Sequence, residues 1–457
     1  MRLASLLLAL LLTCTAASAQ DATQAQVRKF DVTVSPRDYV AAPASLKKLF
    51  PKGFPTGVGS GLAFAGKEKD GSLLFLSVTD RGPNADSPKF VGSPGEKGLP
   101  TKMFPAPGFH PAVATIKVKG NAASVVKMTP IRGLDGKPVT GLPPAKGEHG
   151  STGETPLDVN LKVLGHDQQG IDPEGIAIDS RRGTLWLSDE YGPFLMELDR
   201  KTGQIVRKLA PGAGLPSILA KRQPNRGAEG VAVTPSGKVV AAVQSILDTD
   251  GKVKDSKAAF TRLVEYDPDT DKTRMLAYPI DETAYKRTAD AKIGDVTAVS
   301  DTQFLIVEQG EGRDGKMRNL VYLVDISRAS ALPDLPLETT GLGGMVPARK
   351  WLVADLVALG WTAEKAEGMA LVDARTIALA SDNDFGLAAV LDKPAQDKNG
   401  KTVTKPDDYT VGRDGQSGKL MLDGKPVDTT ISLKPSGEKT AMWLLTLPKP
   451  VTEYMPK

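Results

Sequence analysis

Acidic residues stand at both ends of a strand-like hairpin in the middle of the chain. Glu174 precedes an alternating run at 176–179, and Asp189 follows the returning run at 184–188. The segment 180–183 between the runs has the composition of a turn, so the two strands would be antiparallel neighbours. Their carboxylates are therefore predicted to emerge side by side at the open end of the hairpin, where they could bind a cation or act on a substrate.

Similar hairpins recur along the chain and bring further acids to equivalent positions. They start near positions 61, 174, 229, 295 and 367, and three of them open with Glu-Gly. If each hairpin is the inner strand pair of one blade, the acids of all five converge at the mouth of a central channel. The candidate metal ligands on this interpretation are Asp80, Glu174, Asp189, Glu229, Asp295, Glu308, Glu367 and Asp382, with Glu190 and Asp384 beside them.

So many carboxylates in one place need either raised pKa values or bound cations. Calcium prefers hard oxygen ligands and tolerates flexible geometry, whereas magnesium demands a tighter octahedron, so calcium is the predicted metal. A structural interpretation stays open. The glutamates could cap free amides of the inner strands, the glycines could permit a tight backbone, and the Ser-Asp pairs could form ordinary turns.

Arginines are the candidate substrate-binding residues. Arg81, Arg226 and Arg262 could each grip a phosphate with a planar guanidinium or hold a neighbouring carboxylate in place. Tyr191 could donate to a bound oxyanion or only pack. The chain has three histidines without metal-type spacing, and it lacks the P-loop, zinc and serine-hydrolase motifs. Its chemistry is therefore expected to rest on carboxylates and arginines.

The elements that position these residues are predicted to be strands. The 34 prolines and 46 glycines among 457 residues favour many turns over long helices. We expect one all-β domain, a single six-bladed β-propeller with loop insertions, whose sixth blade lies in the terminal or loop-rich segments. Phe30–Val34 and Ala441–Leu447 could pair to close the ring. Segment 82–170 would elaborate the first blade, 393–438 would be an exposed insertion in the last, and 350–359 fits either a helix or a buried strand.

The first residues have the features of a secretory leader. A basic residue and an apolar run precede Ala17-Ser18-Ala19, which has the small residues of a signal-peptidase site. We expect a signal peptide at 1–19, cleaved near Ala19, and a single mature domain at 20–457. The mature protein would be periplasmic or secreted, without a membrane span.

Composition limits the partners. Cys14 is the only cysteine and lies in the leader, so the mature protein would lack disulfides; lipidation of this cysteine is the alternative. The formal net charge is +4, and the basic residues are scattered rather than clustered. We therefore expect a small-molecule substrate, no nucleic-acid partner and a monomeric protein.

Six ordered motifs resemble one known family, the phytase-like domain family described as esterase-like activity of phytase. The motifs are DRGPN (80–84), DPEG (172–175), SDEYGP (188–193), NRGAEG (225–230), AEGM (366–369) and SDNDFG (381–386). The PEG and AEG elements are also similar to the strand entrances of β-propeller phytases. Gln244 and Gln309 depart from the pattern, because they occupy exits where other repeats have acids, and the DDPA-type acidic stretch of true phytases is missing.

The resemblance implies a calcium-dependent propeller that hydrolyses phosphate esters, with the acids named above as calcium ligands. Glu190 or Asp384 would then accept the proton of the attacking water, and Arg81 or Arg226 would stabilise charge on the transferred group. Two other classes remain open. One is a lactone hydrolase of the gluconolactonase type, which would need one metal and no phosphate-binding arginines, and the other is a non-catalytic propeller that binds a ligand.

Overall fold

The computed structural model describes residues 22–92, 98–147, 150–151, 153–412 and 419–456. The predicted signal peptide and Cys14 lie outside the described residues. Strands make up most of the regular structure, and the single α-helix assigned in the described part of the chain, α1 (Leu337–Thr340), is four residues long. Among the described residues, none of the helices has the length and apolar character needed to cross a bilayer.

The strands and short 3-10 helices follow one another in a regular order. The strands are β1 (Gln26–Thr33), β2 (Leu62–Lys67), β3 (Leu73–Val78), β4 (Ala85–Asp86), β5 (Lys89–Val91), β6 (Thr101–Met103), β7 (Ala112–Lys119), β8 (Ala122–Pro130), β9 (Thr155–Leu157), β10 (Pro173–Asp179), β11 (Thr184–Asp189), β12 (Phe194–Asp199), β13 (Ile205–Pro211), β14 (Gly214–Leu215), β15 (Ala228–Val233), β16 (Val239–Val243), β17 (Phe260–Asp267), β18 (Lys272–Pro279), β19 (Lys292–Ala298), β20 (Gln303–Glu311), β21 (Met317–Asp325), β22 (Arg349–Asp355), β23 (Gly368–Leu371), β24 (Thr376–Ala380), β25 (Leu387–Asp392), β26 (Thr410–Gly412), β27 (Met421–Leu422), β28 (Lys425–Pro426), β29 (Thr430–Pro435) and β30 (Ala441–Thr446). The 3-10 helices are Pro36–Asp38, Ala44–Leu46, Ser217–Lys221, Val253–Asp255, Thr288–Asp290, Asp384–Gly386, Pro406–Asp408 and Val451–Tyr454.

Five four-stranded units surround the channel in the part of the chain that the structure describes. In order from the inside outward the units are β2-β3-β7-β8, β10-β11-β12-β13, β15-β16-β17-β18, β19-β20-β21-β22 and β23-β24-β30-β1. The innermost strands contact one another in a closed ring, β2 to β10, β15, β19, β23 and back to β2. This is the arrangement of a β-propeller.

Glycines at the starts of the inner strands allow the ring to close. A Cβ atom on Gly175 would lie 2.9 Å from the Glu229 carbonyl oxygen of the next unit, and one on Gly230 would lie 2.7 Å from the Asp295 Cα atom. Real Cβ atoms do not approach other heavy atoms so closely. The Gly of each Glu-Gly pair is therefore required for the close approach of neighbouring inner strands.

The predicted pairing of the two ends of the chain is confirmed. It also explains why the ring has five units and not the six blades predicted. In the fifth unit β1 pairs antiparallel with β30, with Phe30 opposite Met442. A short parallel pairing of β1 with β8 then links this unit to the first in an eight-stranded sheet. Because the amino-terminal strand completes the fifth unit, it is not available for another, and the described residues contain no sixth unit.

Both faces of each unit are covered by neighbouring units, so the strands carry nearly continuous apolar runs. All five residues of β16 are buried, for example. The rings of Trp186 on β11 and Tyr266 on β17 meet at a centroid distance of 5.6 Å, so neighbouring units share one core. In the segment 350–359, which fitted either a helix or a buried strand, residues 350–355 belong to strand β22.

The loop-rich segments build accessory sheets instead of a blade. They leave the ring directly after the motifs DRGPN and SDNDFG, at the same end of the channel. Strands β4, β6 and β9 form a three-stranded sheet, β5 joins β26 to β28, and β25 pairs with β29. Ala85 and Met103 pack with Phe385, Leu387 and Leu433, so the two insertions share a small core beside the channel mouth.

Candidate metal centre

Two of the repeat glutamates, Glu174 and Glu229, lie at β-bulges at the mouth of the channel. The pairing of β10 with β11 shifts register between Pro173 and Gly175, and that of β15 with β16 shifts between Ala228 and Gly230. The extra residue in each strand is the glutamate, Glu174 or Glu229 in turn. Such bulges redirect a side chain, which explains how an inner-strand residue comes to face the mouth.

Two groups of three carboxylates meet at this mouth and share Asp80. One group contains Asp80, Asp172 and Glu174, and the other contains Asp80, Asp382 and Asp384. Within each group the carboxylate oxygens lie within 4.8 Å of one another. Four of these five residues were among the predicted acids of the mouth, and Asp172 was not. Each group is therefore a candidate site for a cation with oxygen ligands.

The pKa values of these acids show how unfavourable their ionised forms are without a counter-charge. Burial raises the pKa of Asp172 well above its ordinary value, Arg81 opposes the shift, and Asp80 and Glu190 add to it. Removal from water also raises the pKa of Glu174, and Asp172 raises it further. The pKa of Asp384 is raised to about 6, first by loss of water, against the effect of Lys365. A bound cation would remove this penalty.

Arg81 supplies part of the missing positive charge. Its Nη1 atom lies 3.3 Å from Asp172 Oδ2 and 3.3 Å from Glu154 Oε1, and its Nε atom lies 3.7 Å from Asp80 Oδ1. The guanidinium also lies over the Tyr191 ring, 5.5 Å from its centroid. With its fork committed to acids of the mouth, Arg81 holds the ligands in position and is poorly placed to grip a substrate.

The donor set fits a hard cation. All five side chains offer carboxylate oxygens, and no histidine or cysteine belongs to either group within the described residues. Asp172 Oδ2 is buried and accepts no hydrogen bond within the described residues, although Arg81 Nη1 lies 3.3 Å from it. Oxygen-only ligands of this kind suit calcium better than zinc or copper.

A second charged network borders the same mouth. Gln244 Nε2 donates to Glu190 Oε1 at 3.2 Å and also to Glu229, while Lys365 Nζ pairs with Glu367 at 2.5 Å. Burial raises the pKa of Glu229, and the charges of Glu190 and Glu367 raise it further. Gln244 therefore replaces an acid where an additional negative charge would be costly, and its amide bridges two carboxylates instead.

Asp189 and Asp295, which were predicted as metal ligands, are used by the scaffold. Asp189 accepts hydrogen bonds from Asp172 N at 2.6 Å and Gly192 N at 3.1 Å, and burial raises its pKa to about 6. Asp295 accepts from its neighbour's amide and, across units, from Met369 N at 2.6 Å. Both carboxylates satisfy backbone amides, so the structural interpretation of the repeat is correct for them.

Glu308 and Arg262, two further residues of the predicted site, also have polar partners. Glu308 accepts from the hydroxyl groups of Tyr278 at 2.7 Å and Tyr285 at 3.0 Å and pairs with Lys350. Arg262 on β17 is fully buried and forms a two-point ion pair with Glu338, with both distances 2.8 Å. Neither side chain belongs to the two carboxylate groups of the mouth.

Tyr191 is also a packing residue. Its side chain is completely buried, and its hydroxyl donates to the Gly141 carbonyl oxygen at 2.7 Å. Its ring supports the Arg81 guanidinium, so it contributes to the site only through that arginine. The candidate role of Tyr191 as a donor to a bound oxyanion is replaced by this positioning role.

Arg226 lies beside the acids on the wall of a cavity of about 420 Å³. Its Nη1 atom donates to Ala289 O at 2.7 Å and to Ser245 Oγ at 3.1 Å, which fixes the guanidinium. The same cavity is lined by Lys292 and Lys365. A second cavity of about 350 Å³ opens at Asp382 and Asp384 and also includes Lys365, so basic and acidic surfaces adjoin.

Sequence reasoning missed Asp172, Lys365, Lys292 and Glu154. For the first two a signal existed, since each stands two positions before a predicted glutamate and residues i and i+2 of an extended segment point to the same side. Asp172 also precedes a proline, which favours the extended backbone. Glu154 lies in an irregular loop and reaches Arg81 only through the tertiary fold, so no local pattern indicates it.

Comparison with known proteins agrees with the motifs. A secreted, uncharacterized protein of Arthroderma benhamiae is 27% identical over 244 residues, which cover 44% of this chain and 46% of that protein. The chain thus spans about half the length of this relative.

Among solved structures, an α-L-arabinofuranosidase of Podospora anserina covers 93% of the chain and 98% of its own, with 8% identity and a TM-score of 0.36. The periplasmic gluconolactonase of Pseudomonas aeruginosa covers 82% of this chain and 88% of its own, with 10% identity and a TM-score of 0.29. Likenesses at this level do not specify a function. The family model for phytase-like proteins, described as esterase-like activity of phytase, matches residues 55–385, and the chain therefore belongs to this family.

Proposed function

We propose that this protein is an exported, calcium-dependent hydrolase that cleaves phosphate esters. The observation that carries the proposal is the position of two carboxylate groups, joined at Asp80, next to a cavity lined by Arg226, Lys292 and Lys365. Carboxylates attract a divalent cation, and basic side chains attract an anion. Because the two surfaces adjoin, they favour an anionic substrate that reacts next to a bound metal ion. Membership of the phytase-like family points to the same class. Export is supported by the leader-like first residues and by the secreted relative.

The proposed calcium ligands are the residues of the two carboxylate groups. Asp80, Asp172 and Glu174 would hold one calcium ion, and Asp80, Asp382 and Asp384 would hold the other. When bound, calcium supplies positive charge next to the phosphoryl oxygens and lowers the pKa of water. Asp384, which was expected to accept a proton, is assigned here to the ligands because its carboxylate belongs to the second group.

The remaining chemistry is assigned to side chains around the groups. Glu190 lies in neither group, and one of its oxygens accepts from Gln244, so the other can take the proton of the attacking water. Burial raises the pKa of Glu190, which makes it a better proton acceptor than an ordinary glutamate. Arg226, held by Ser245 and Ala289, would stabilise the negative charge that develops on the transferred group.

The basic cavity also favours a phosphate ester over a neutral sugar lactone. Arg226, Lys292 and Lys365 would have no counter-charge from an uncharged lactone, whereas a phosphate monoester or diester brings one. A non-catalytic ligand-binding propeller would not need paired carboxylate groups beside the anion-binding surface.

A three-substrate assay tests the proposal. Protein stripped with a chelator is supplied with a phosphomonoester, a phosphodiester or a sugar lactone, each with and without calcium. We expect calcium to restore hydrolysis of a phosphate ester and not of the lactone. Calcium-dependent lactone hydrolysis would favour the lactonase class, and no hydrolysis of any substrate across the pH range would favour a binding protein.

A further inference from the structure

The guanidinium of Arg81 lies between a proposed metal ligand and an acid that belongs to neither carboxylate group. Its Nη1 atom is 3.3 Å from Asp172 Oδ2 and also 3.3 Å from Glu154 Oε1. Of these two oxygens, only that of Glu154 accepts a hydrogen bond from Nη1. Asp172 Oδ2 is buried and accepts none within the described residues. The arginine therefore directs its hydrogen bond away from the ligand oxygen.

The Arg81 side chain treats the second ligand in the same way. Its Nε atom lies 3.7 Å from Asp80 Oδ1, which is too long for a hydrogen bond, and Nε has no acceptor within the described residues. An oxygen that accepts no hydrogen bond from the guanidinium keeps that lone pair for a cation. If Arg81 donated to Asp172 or Asp80 instead, it would compete with a metal ion for the same oxygens.

Glu154 is held firmly enough to keep the guanidinium in this direction. It is 4% exposed and directly precedes strand β9, whose first amide, Thr155 N, donates to Pro100 O at 2.9 Å. Its second carboxylate oxygen, Oε2, accepts a hydrogen bond from Asn225 Nδ2 at 3.1 Å. The accessory sheet thus fixes the backbone beside Glu154, and Asn225 and Arg81 each bind one oxygen of its carboxylate.

Asn225 comes from another part of the fold and has an unusual backbone. Its φ is 50°, in the left-handed region that asparagine adopts more readily than most residues with a side chain. It lies in the loop before β15 of the third unit, whereas Glu154 belongs to the insertion and Arg81 follows β3 of the first unit. The contacts from Asn225 through Glu154 to Arg81 therefore connect three parts of the chain and end at the proposed ligands.

We propose that Glu154, oriented by Asn225, is a positioning residue that sets the calcium affinity of the mouth by holding the Arg81 guanidinium away from the ligand oxygens. The inference rests on the calcium binding of the proposed function and concerns the strength of that binding. Without Glu154 the guanidinium would donate to Asp172 or Asp80, and calcium would have to displace it. The charge of Glu154 also offsets that of Arg81, so the arginine repels a cation less.

Calorimetric titration of chelator-treated protein with calcium tests this role without any substrate. Glu154→Met keeps the length of the side chain and removes its charge and both acceptors, so it should lower the calcium affinity at least tenfold. Asn225→Gly keeps the left-handed backbone accessible and removes the amide, so it should cause a smaller loss. The matched control is Glu197→Met. Glu197 is a buried glutamate that also pairs with an arginine, Arg207, on the outer strands of the second unit, and this variant should bind calcium like the wild type.

Two double variants separate the positioning role from a structural role or a direct role as ligand. When Glu154→Met is already present, Asn225→Gly should cause no further loss of affinity, because Asn225 acts through Glu154. When Arg81→Met is present, Glu154→Met should no longer lower the affinity, since the competing guanidinium is gone. A glutamate that bound calcium itself, or that only supported the fold, would still cost affinity when lost from a protein without Arg81.

The outcomes distinguish this inference from the proposed function. Wild-type affinity in Glu154→Met that is folded by circular dichroism overturns the inference, as does a loss that persists without Arg81. If Arg81→Met does not fold, additive losses from Asn225→Gly and Glu154→Met overturn it. No calcium binding by the wild type overturns the proposed calcium dependence and the inference together. If binding depends on Glu154 but no phosphate ester is hydrolysed, the proposed reaction fails and the inference stands.

Discussion

Asp80 is the residue on which both carboxylate groups of the mouth depend. It follows β3 of the first unit, whereas Asp172 and Glu174 belong to the second unit and Asp382 and Asp384 to the fifth. Asn84 Nδ2 donates to Asp80 Oδ2 at 3.2 Å, and the Arg81 amide donates to Asp80 Oδ1, so both carboxylate oxygens are held in position. A cation at this position would connect three units that are distant in sequence, so metal binding and ring stability are expected to be linked.

The first prediction concerns Asp172. Because a ligand that binds only the folded state stabilises it by RT ln(1 + [L]/Kd), calcium at a hundredfold excess over Kd should stabilise the stripped wild type by about 2.7 kcal/mol. Asp172→Asn should lose most of this gain, since it removes the charge and keeps the size of the side chain. Thermal melts with and without calcium measure the effect. The control is Asp70→Asn, on the exposed turn between β2 and β3, which should respond to calcium like the wild type. If calcium stabilises Asp172→Asn as much as the wild type, Asp172 is not a ligand.

The second prediction separates a substrate role of Arg226 from a scaffold role. Arg226→Lys keeps the charge but loses the planar fork, so kcat/KM for a phosphate ester should fall at least tenfold, equivalent to about 1.4 kcal/mol. Stabilisation by calcium should not change. Steady-state kinetics are compared with those of Arg274→Lys, whose side chain pairs with Glu265 on an outer strand. Nearly intact turnover in Arg226→Lys would assign the arginine to the scaffold.

At the residue scale, the sequence identifies acids better than it identifies their partners. Glu174 and Asp382 could be predicted because the repeat places them at hairpin ends. Glu308 has the same position in its repeat, yet two tyrosines and a lysine from neighbouring strands satisfy it. Repeat position predicts which end of a hairpin a carboxylate occupies, but the identity of the cross-strand neighbours decides whether that carboxylate is free for a ligand.

At the scale of the elements, the Glu-Gly pairs at Glu174 and Glu229 each perform two tasks. The bulge turns the glutamate toward the mouth, and the glycine lets the next inner strand approach. The five inner hairpins could be predicted because this pair and the alternating runs are local. The blade count could not, because nothing local shows whether the paired terminal strands β1 and β30 complete an existing unit or form a separate one.

The third prediction tests whether Gly230 is required for the close packing of neighbouring inner strands. Gly230→Ala would place a Cβ atom 2.7 Å from the Asp295 Cα atom of the next unit, and backbone on both sides cannot move freely. Overpacking of this kind should lower the free energy of unfolding by about 1–3 kcal/mol or more. Gly165→Ala is the matched control, because no heavy atom lies within 4 Å of its added Cβ atom. Chemical denaturation of both variants gives the comparison, and equal stability would show that the inner strands can separate at little cost.

At the scale of the whole molecule, the ring gathers buried acids at one end of its channel and a basic cavity beside them. Arg81 and Lys365 offset part of the negative charge, but the pKa values of Asp172, Glu174, Glu229 and Asp382 remain raised. Groups that are easier to protonate in the folded state than in the unfolded chain make stability depend on pH. The metal-free and calcium-loaded proteins should therefore differ in the sign of that dependence.

The fourth prediction concerns how the free energy of unfolding changes with pH. Because the folded pKa values of these acids lie above their unfolded values, the folded state binds more protons, and without calcium the free energy of unfolding should fall as pH rises from about 5 to about 8. Asp189 alone, raised by burial from 3.8 to about 6, would contribute about 3 kcal/mol in total, of which roughly 1.4 kcal/mol is lost above pH 5. Saturating calcium requires ionised ligands, so it should abolish or reverse the trend. The measurement is a set of melting curves at several pH values, with chelator or with calcium. If the stability of the chelated protein rises with pH, the charges of the acids at the mouth are already neutralised by basic residues of the chain.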